Sequence, residues 1–214
     1  VTSLPSSHGI GDLGAEARGF ADFLSAAGMR WWQVLPMHPP ALGNSPYSTL
    51  SAFAGNPLLI SLDMLAADGL LSKRDLAPPR GIQRERVAFP VVARFKAERL
   101  RKAFLAFIGG GGLTREDYRS FCLRHSAWLD PFAFFMSLRE HFKGKEWVAW
   151  PDELRRCSPD AIRRTGQEYR DHTEFERFCQ WLYSRQWDAL RDYARERGVG
   201  MLGDIPIFVA HNSA

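Results

Sequence analysis

At 214 residues, 45% apolar and 24% charged, the chain has the size and composition of one globular domain with a sizeable core, or two small ones. A formal charge of +4 and a pI near 9.1 raise nucleic acid as a partner. Basic and acidic residues are interspersed, however, and the densest group, Arg94, Lys96, Arg99, Arg101 and Lys102, reads as a solvated helix face rather than a basic groove. No apolar run reaches membrane-spanning length, and the first thirty residues lack the basic start and apolar middle of a signal peptide, though Val1 in place of Met leaves a removed leader open. Cys122, Cys157 and Cys179 form neither a disulfide framework nor a zinc pattern, which points to reduced thiols in a cytoplasmic protein.

In chain order, Gly14 to Gly28 predicts a helix with Phe20, Phe23, Leu24 and Ala27 on one face and Gly28 as its stop. Trp31 to Met37 predicts a buried strand, followed by a Ser45–Pro57 loop and a short extended segment over Leu58 to Leu62. From Asp63 to Arg197 the pattern turns helical. Val91 to Ile108 forms one helix, Gly109 to Gly112 a break, and Thr114 with Asp117 a helix start. Pro131 suits the first turn of a further helix running through Phe142, and His172 to Arg197 is the longest periodic stretch, stopped by Gly198. Val199 to Ala210 is a second apolar run, broken by Asp204. Apolar strands at both ends of a long helical stretch suggest a parallel α/β arrangement with a helical insertion.

Three residues carry functional interest. Tyr47, between Pro46 and small polar residues, can offer its ring to a sugar, whose axial C–H face stacks on aromatics; alternatively it covers the core beneath the loop. Asp204 is either an active-site carboxylate at the end of a barrel strand or a turn residue. Ser45 is a candidate for hydroxyl or backbone contact with a sugar. Other motifs lead elsewhere. Gly9-Ile10-Gly11-Asp12-Leu13-Gly14 matches the dinucleotide pattern formally, but no strand precedes it and Leu35 and Pro36 stand where its acidic residue belongs. The six histidines show no metal-ligand spacing; His38 and His211 follow predicted strands and could line a pocket, but neither is taken as a site residue. Trp128 to Phe135, at helical spacing, reads as core rather than a sugar platform.

Thr2-Ser3-Leu4-Pro5, Gly9 to Gly14, Trp32 to Pro36, Ser45-Pro46-Tyr47, Ser51 to Pro57 and Gly203 to Ala210 resemble, in order and approximate spacing, the amylomaltases, the 4-α-glucanotransferases of the α-amylase superfamily. The resemblance implies part of a (β/α)₈ TIM barrel, with residues 1–62 and 199–214 in the barrel and 63–198 as a helical insertion subdomain. It implies transfer of α-1,4-glucan segments between maltooligosaccharides by a retaining covalent mechanism, with no cofactor, metal, membrane or nucleic acid. An α-glucan hydrolase and a non-catalytic carbohydrate-binding fragment are the alternatives. Ser45, Tyr47 and Asp204 would bind substrate, whereas the nucleophilic Asp and acid/base Glu are expected beyond Ala214, so no catalytic residue is assigned and the isolated chain is expected to be inactive. His211-Asn212 departs from the acidic residue that many relatives carry there, and no contact is carried over to it.

Overall fold

Two parallel strand pairs join the first and last parts of the chain. In the computed structural model, which describes residues 1–41, 43–78, 80–82, 86–156 and 158–214, β1 (Trp31–Gln33) pairs with β3 (Gly200–Leu202), Trp31 lying opposite Gly200. Likewise β2 (Ser48–Thr49) pairs with β4 (Phe208–Val209). The two long apolar runs therefore meet side by side, but each forms less regular strand than its composition predicts. Beyond Gln33, Val34 N still donates to Leu202 O at 2.9 Å. Pro36, Pro39 and Pro40 then supply no N–H for a ladder. The Val199–Ala210 run is interrupted over residues 203–207, where Pro206 also supplies no N–H, and the Ser45–Pro57 stretch, expected to be loop throughout, contributes β2.

One face of the β1–β3 pair is covered by α1 (Ala15–Ala26) and the second half of α7 (Arg170–Glu196). Ala17 and Ala21 on α1 and Leu190 and Ala194 on α7 are fully buried with Leu13, Trp32 and Val34. Alanines on both helices let the backbones approach closely. Phe20 and Leu24 join this core in part, but Phe23 is 63% exposed and stacks on Phe20 instead, so the inward stripe runs through Ala17 and Ala21. Both helices end on glycines in the left-handed region, Gly28 at φ +71° and Gly198 at φ +73°, where a side chain would be strained. The opposite face of the strand pair exposes Trp31, Leu35 and Leu202.

Between β2 and β3 the described residues form helices and turns and no strand: α2 (Leu62–Ala67), α3 (Phe89–Gly109), α4 (Glu116–His141), α5 (Asp152–Arg155), α6 (Pro159–Glu168) and α7. Of the Leu58 to Leu62 segment, Ile60 and Ser61 are extended and the rest is not. Asn56 Oδ1 accepts the Leu58 N–H at 3.0 Å and caps a 3₁₀ turn over Pro57–Leu59, and Leu62 opens α2. Nor does Pro131 start a helix: it lies inside α4, which begins after Arg115 with Glu116 and Asp117 in its first turn. Packing on α7 holds α4 continuous through the proline, with Arg177 Nη2 donating to Asp130 Oδ1 at 2.9 Å and the Ser137 and Thr173 hydroxyls 2.9 Å apart. The core of this helical layer is aromatic, with the Phe107 ring centroid 4.9 Å from Phe178, 5.1 Å from Trp181 and 5.2 Å, edge to face, from Tyr118.

The basic group on α3 is not uniformly a solvated face. Arg94 and Lys102 are exposed, but Lys96 is fully buried on the same stripe as Val92, Phe95 and Leu100. Its ammonium donates to Leu58 O at 2.7 Å and Ile60 O at 2.8 Å and lies 3.4 Å from Asp12 Oδ2. Burial lowers its pKa, against the attraction of Asp12. Carbonyls of the 3₁₀ turn and its C-terminal cap give this cation a place inside. Cys122 and Cys179 are free thiols; Cys157 lies outside the described residues. No described helix is long and apolar enough to cross a membrane.

Candidate functional site

The loop after β1 folds back on itself before it reaches β2. Leu50 N donates to Pro39 O and Ala41 N to Ser48 O, each at 2.9 Å, and Pro40 bridges Thr49 in antiparallel sense. Gly43 (φ +64°) and Asn44 (φ +56°) supply consecutive left-handed residues at the bend. Ser45 then closes a turn: its carbonyl accepts from Ser48 N at 3.3 Å, and its Oγ faces Tyr47 N at 3.4 Å. The serine thus serves the loop backbone, a role the sequence reading did not assign to it.

Pairing of β2 with β4 brings Tyr47 to the second half of the chain. Tyr47 O accepts from Phe208 N at 3.0 Å, and Thr49 O accepts from Ala210 N at 3.1 Å. The Tyr47 hydroxyl donates to Asp204 Oδ2 at 3.1 Å, joining residues 157 positions apart. Asp204 Oδ1 accepts the Ile205 N–H at 2.8 Å. The aspartate thus accepts from the next residue on one oxygen and from a residue far along the chain on the other. Its charge raises the Tyr47 pKa, chiefly through the hydrogen bond, which keeps the phenol protonated and donating. An ionised carboxylate has about four lone-pair sites, so two acceptor positions stay free for hydroxyl donors. Tyr47 and Asp204 are both half-buried, and Tyr47 is no part of the three apolar core clusters.

Two glutamines on α7 hold the rest of the loop. Gln180 Oε1 accepts from Gly55 N at 2.7 Å and its Nε2 donates to Gly55 O at 3.0 Å. Gln186 repeats the pattern on Ser61, at 2.7 and 3.1 Å. Sequence reasoning passed over them, although two amides on the buried stripe of an amphipathic helix are a signal, since a buried amide needs partners. Among the described residues no group of three or more His, Cys, Asp or Glu side chains is arranged to hold a metal ion. A larger, mostly apolar cavity of about 900 Å³ lies among α4, α6 and α7, walled by Phe134, Phe135, Trp147 and Trp150, and includes none of Ser45, Tyr47 or Asp204.

The family model for 4-alpha-glucanotransferase matches residues 1–214, from one end of the chain to the other. The chain belongs to the 4-alpha-glucanotransferase family. It is 42% identical over 217 residues to the 4-alpha-glucanotransferase of Aquifex aeolicus, covering all of this chain and 43% of that protein. It is 42% identical over 214 residues to that of Thermus thermophilus, again covering all of this chain and 42% of the relative. The structure superposes on an amylomaltase from Streptococcus agalactiae, solved in complex with acarbose, with a TM-score of 0.94 at 33% identity, covering all of this chain and 43% of that one. An amylomaltase from Corynebacterium glutamicum shares the fold at 19% identity and a TM-score of 0.68. The chain thus spans less than half the length of the relatives it matches; it is mostly helical with few strands and matches the amylomaltase structure over its whole length.

Proposed function

We propose that the protein carrying this chain transfers α-1,4-glucan segments, through a covalent glycosyl-enzyme of retained configuration, onto the 4-hydroxyl of another glucose or maltooligosaccharide. The observation that carries this reading is the Tyr47–Asp204 hydrogen bond, formed between two of the family-like blocks in a chain whose whole length matches the family. Tyr47 presents its ring face to the glucose at the cleavage point, Asp204 accepts from hydroxyls of the same unit, and Ser45 sets the loop that carries the ring. The nucleophilic carboxylate and the acid/base, about 5–5.5 Å apart in a retaining enzyme, come from residues outside Val1–Ala214. Maltooligosaccharides and α-1,4-glucans are the substrates, and the compartment is the cytoplasm, in keeping with the free thiols of Cys122 and Cys179.

In this reading residues 1–62 and 199–214 belong to a (β/α)₈ barrel and residues 63–198 to a helical insertion whose last helix, α7, also leads back into β3. Two parallel strand pairs with α1 and α7 on one face support it, as do the exposed Leu202, Ile205, Ile207 and Phe208, which further barrel strands would cover. The test is incubation of the full-length protein with maltotriose. Transfer gives glucose together with longer maltooligosaccharides; glucose and maltose alone would replace it with hydrolysis. Tyr47→Ala should lower turnover about a hundredfold, the scale of a misplaced reacting centre, with the thermal transition nearly unchanged, and Tyr47→Phe should be milder because the ring face survives. Unfolding of Tyr47→Ala would return the residue to a core-covering role.

A further inference from the structure

A cleft of about 290 Å³ opens where the Ser51–Asn56 segment meets α4 and α7. Phe53 stands at its edge, 71% exposed, stacked on the half-buried Trp128 with ring centroids 6.4 Å apart and planes 18° from parallel. Gln180 clamps both backbone groups of Gly55, and a Cβ at Gly55 would fall 2.1 Å from the Tyr183 ring, so the loop that carries Phe53 is seated against α7. Trp128, which helical spacing places in the core, packs in part against that core and with its remaining face forms an aromatic shelf with Phe53.

Two histidines line the same cleft, and their neighbours fix their tautomers. His38 Nδ1 lies 2.9 Å from Ala54 O; a carbonyl only accepts, so the neutral ring carries its proton on Nδ1 and keeps an acceptor lone pair on Nε2. His125 Nδ1 lies 3.4 Å from Trp128 Nε1; an indole N–H only donates, so Nδ1 accepts and Nε2 carries the proton. The cleft thus offers an aromatic face, one free imidazole acceptor and one free imidazole donor, and among the described residues no Asp, Glu, Lys or Arg lines it. Phe53 also follows Tyr47 by six residues in the chain.

We propose that this cleft is an accessory α-glucan contact, separate from Tyr47 and Asp204. A neutral glucose unit of a maltooligosaccharide lays its C–H face on Phe53 and exchanges hydroxyl hydrogen bonds with His38 and His125. The lack of charge along its walls disfavours phosphate and acidic ligands, and the small volume suits one sugar ring rather than a helix of a protein partner. The inference rests on the glucan-transfer reading.

The experiment is calorimetric titration of the full-length protein with maltoheptaose, with cellotetraose as control, in a Tyr47→Ala background that weakens the first site. Adding Phe53→Ala or His125→Phe should weaken the remaining maltoheptaose binding about tenfold, the scale of one lost stacking or hydrogen-bonding contact, without binding of cellotetraose. His125→Phe keeps an aromatic ring but deletes the Nε2 donor together with the Nδ1 acceptor of the Trp128 N–H, so its thermal transition is measured beside its binding; with that transition unchanged it decides the matter even if Phe53→Ala lowers the thermal transition. If Tyr47→Ala alone abolishes binding, if neither added substitution changes it, or if cellotetraose binds equally well, the accessory contact is refuted and the transferase reading stands. No maltoheptaose binding by the unsubstituted protein would refute both.

Discussion

Replacing Lys96 by Met tests the arrangement that ties α3 to the start of the chain. The stem of the lysine is nearly isosteric with methionine, so packing is kept and only the ammonium is lost. Relief of its burial favours the variant, because an ion held away from water carries a penalty of several kcal/mol. Against this stand Leu58 O and Ile60 O, which lose donors at 2.7 and 2.8 Å, and Asp12, 5% exposed, which keeps its charge without its counterion. Each buried carbonyl left unpaired costs about 1–3 kcal/mol. Removing one member of a buried pair costs about 3–5 kcal/mol in all, so the second set of effects wins. We expect Lys96→Met to lose about 3–5 kcal/mol in urea titrations followed by tryptophan fluorescence, a large share of the roughly 5–15 kcal/mol that holds a domain together. Adding Asp12→Asn should restore part of the loss, since Asn keeps an oxygen for the Gly14 N–H, at 2.9 Å from Asp12 Oδ1, without the stranded charge. A loss below about 1 kcal/mol, or no recovery in the double variant, would show that the ammonium is not what holds these groups.

Glu176 gives a pH signature. Burial, and then the charge of Glu140, push its carboxyl from 4.5 up to about 7. The folded state therefore binds the proton more tightly than the unfolded one. That contribution is fully present below pH 4.5 and is lost as pH rises through about 7. Glu176→Gln should flatten stability across this window and be more stable than the parent at pH 8, by at most about 3 kcal/mol; parallel melting curves of the two proteins from pH 4 to 8 would refute it. Gln180→Leu should lower stability by about 2–4 kcal/mol in urea titrations, because the Gly55 N–H and carbonyl are left buried and unpaired; a neutral result would mean water replaces the amide.

Helices were legible wherever a periodic stripe met a glycine stop, as at Gly28 and Gly198, because a helix end is decided locally. The strand partners were legible because two apolar runs of strand character remain once the helical stretch is set aside. Lys96 was not: its neighbours in sequence are solvated, and its burial depends on carbonyls from Leu58 and Ile60 that only the tertiary fold supplies. Pro131 misled because a local rule for helix starts competes with packing along all of α7, and packing won. The segment over Leu58 to Leu62 turned on a cap from Asn56, a residue outside the span being judged. The meeting of Tyr47 and Asp204 was beyond any spacing rule, since the residues are far apart and the strands that join them hold two residues each. Family-like blocks singled both out; strand pairing then made them neighbours.

The paired glutamines of α7 have a consequence for how such chains vary. Gln180 grips Gly55 and Gln186 grips Ser61, so the same offset separates the two grips on the helix and on the loop. A slip of one residue in either partner would break both together, and glutamate could not stand in, because a carboxylate cannot donate to the loop carbonyls. Everything between these anchors leaves and returns through fixed gates. Lengthening or trimming the connections between α2 and α6 therefore leaves the strand pairing where it is, and the outlying helices are free to diverge at a rate the sheet does not share.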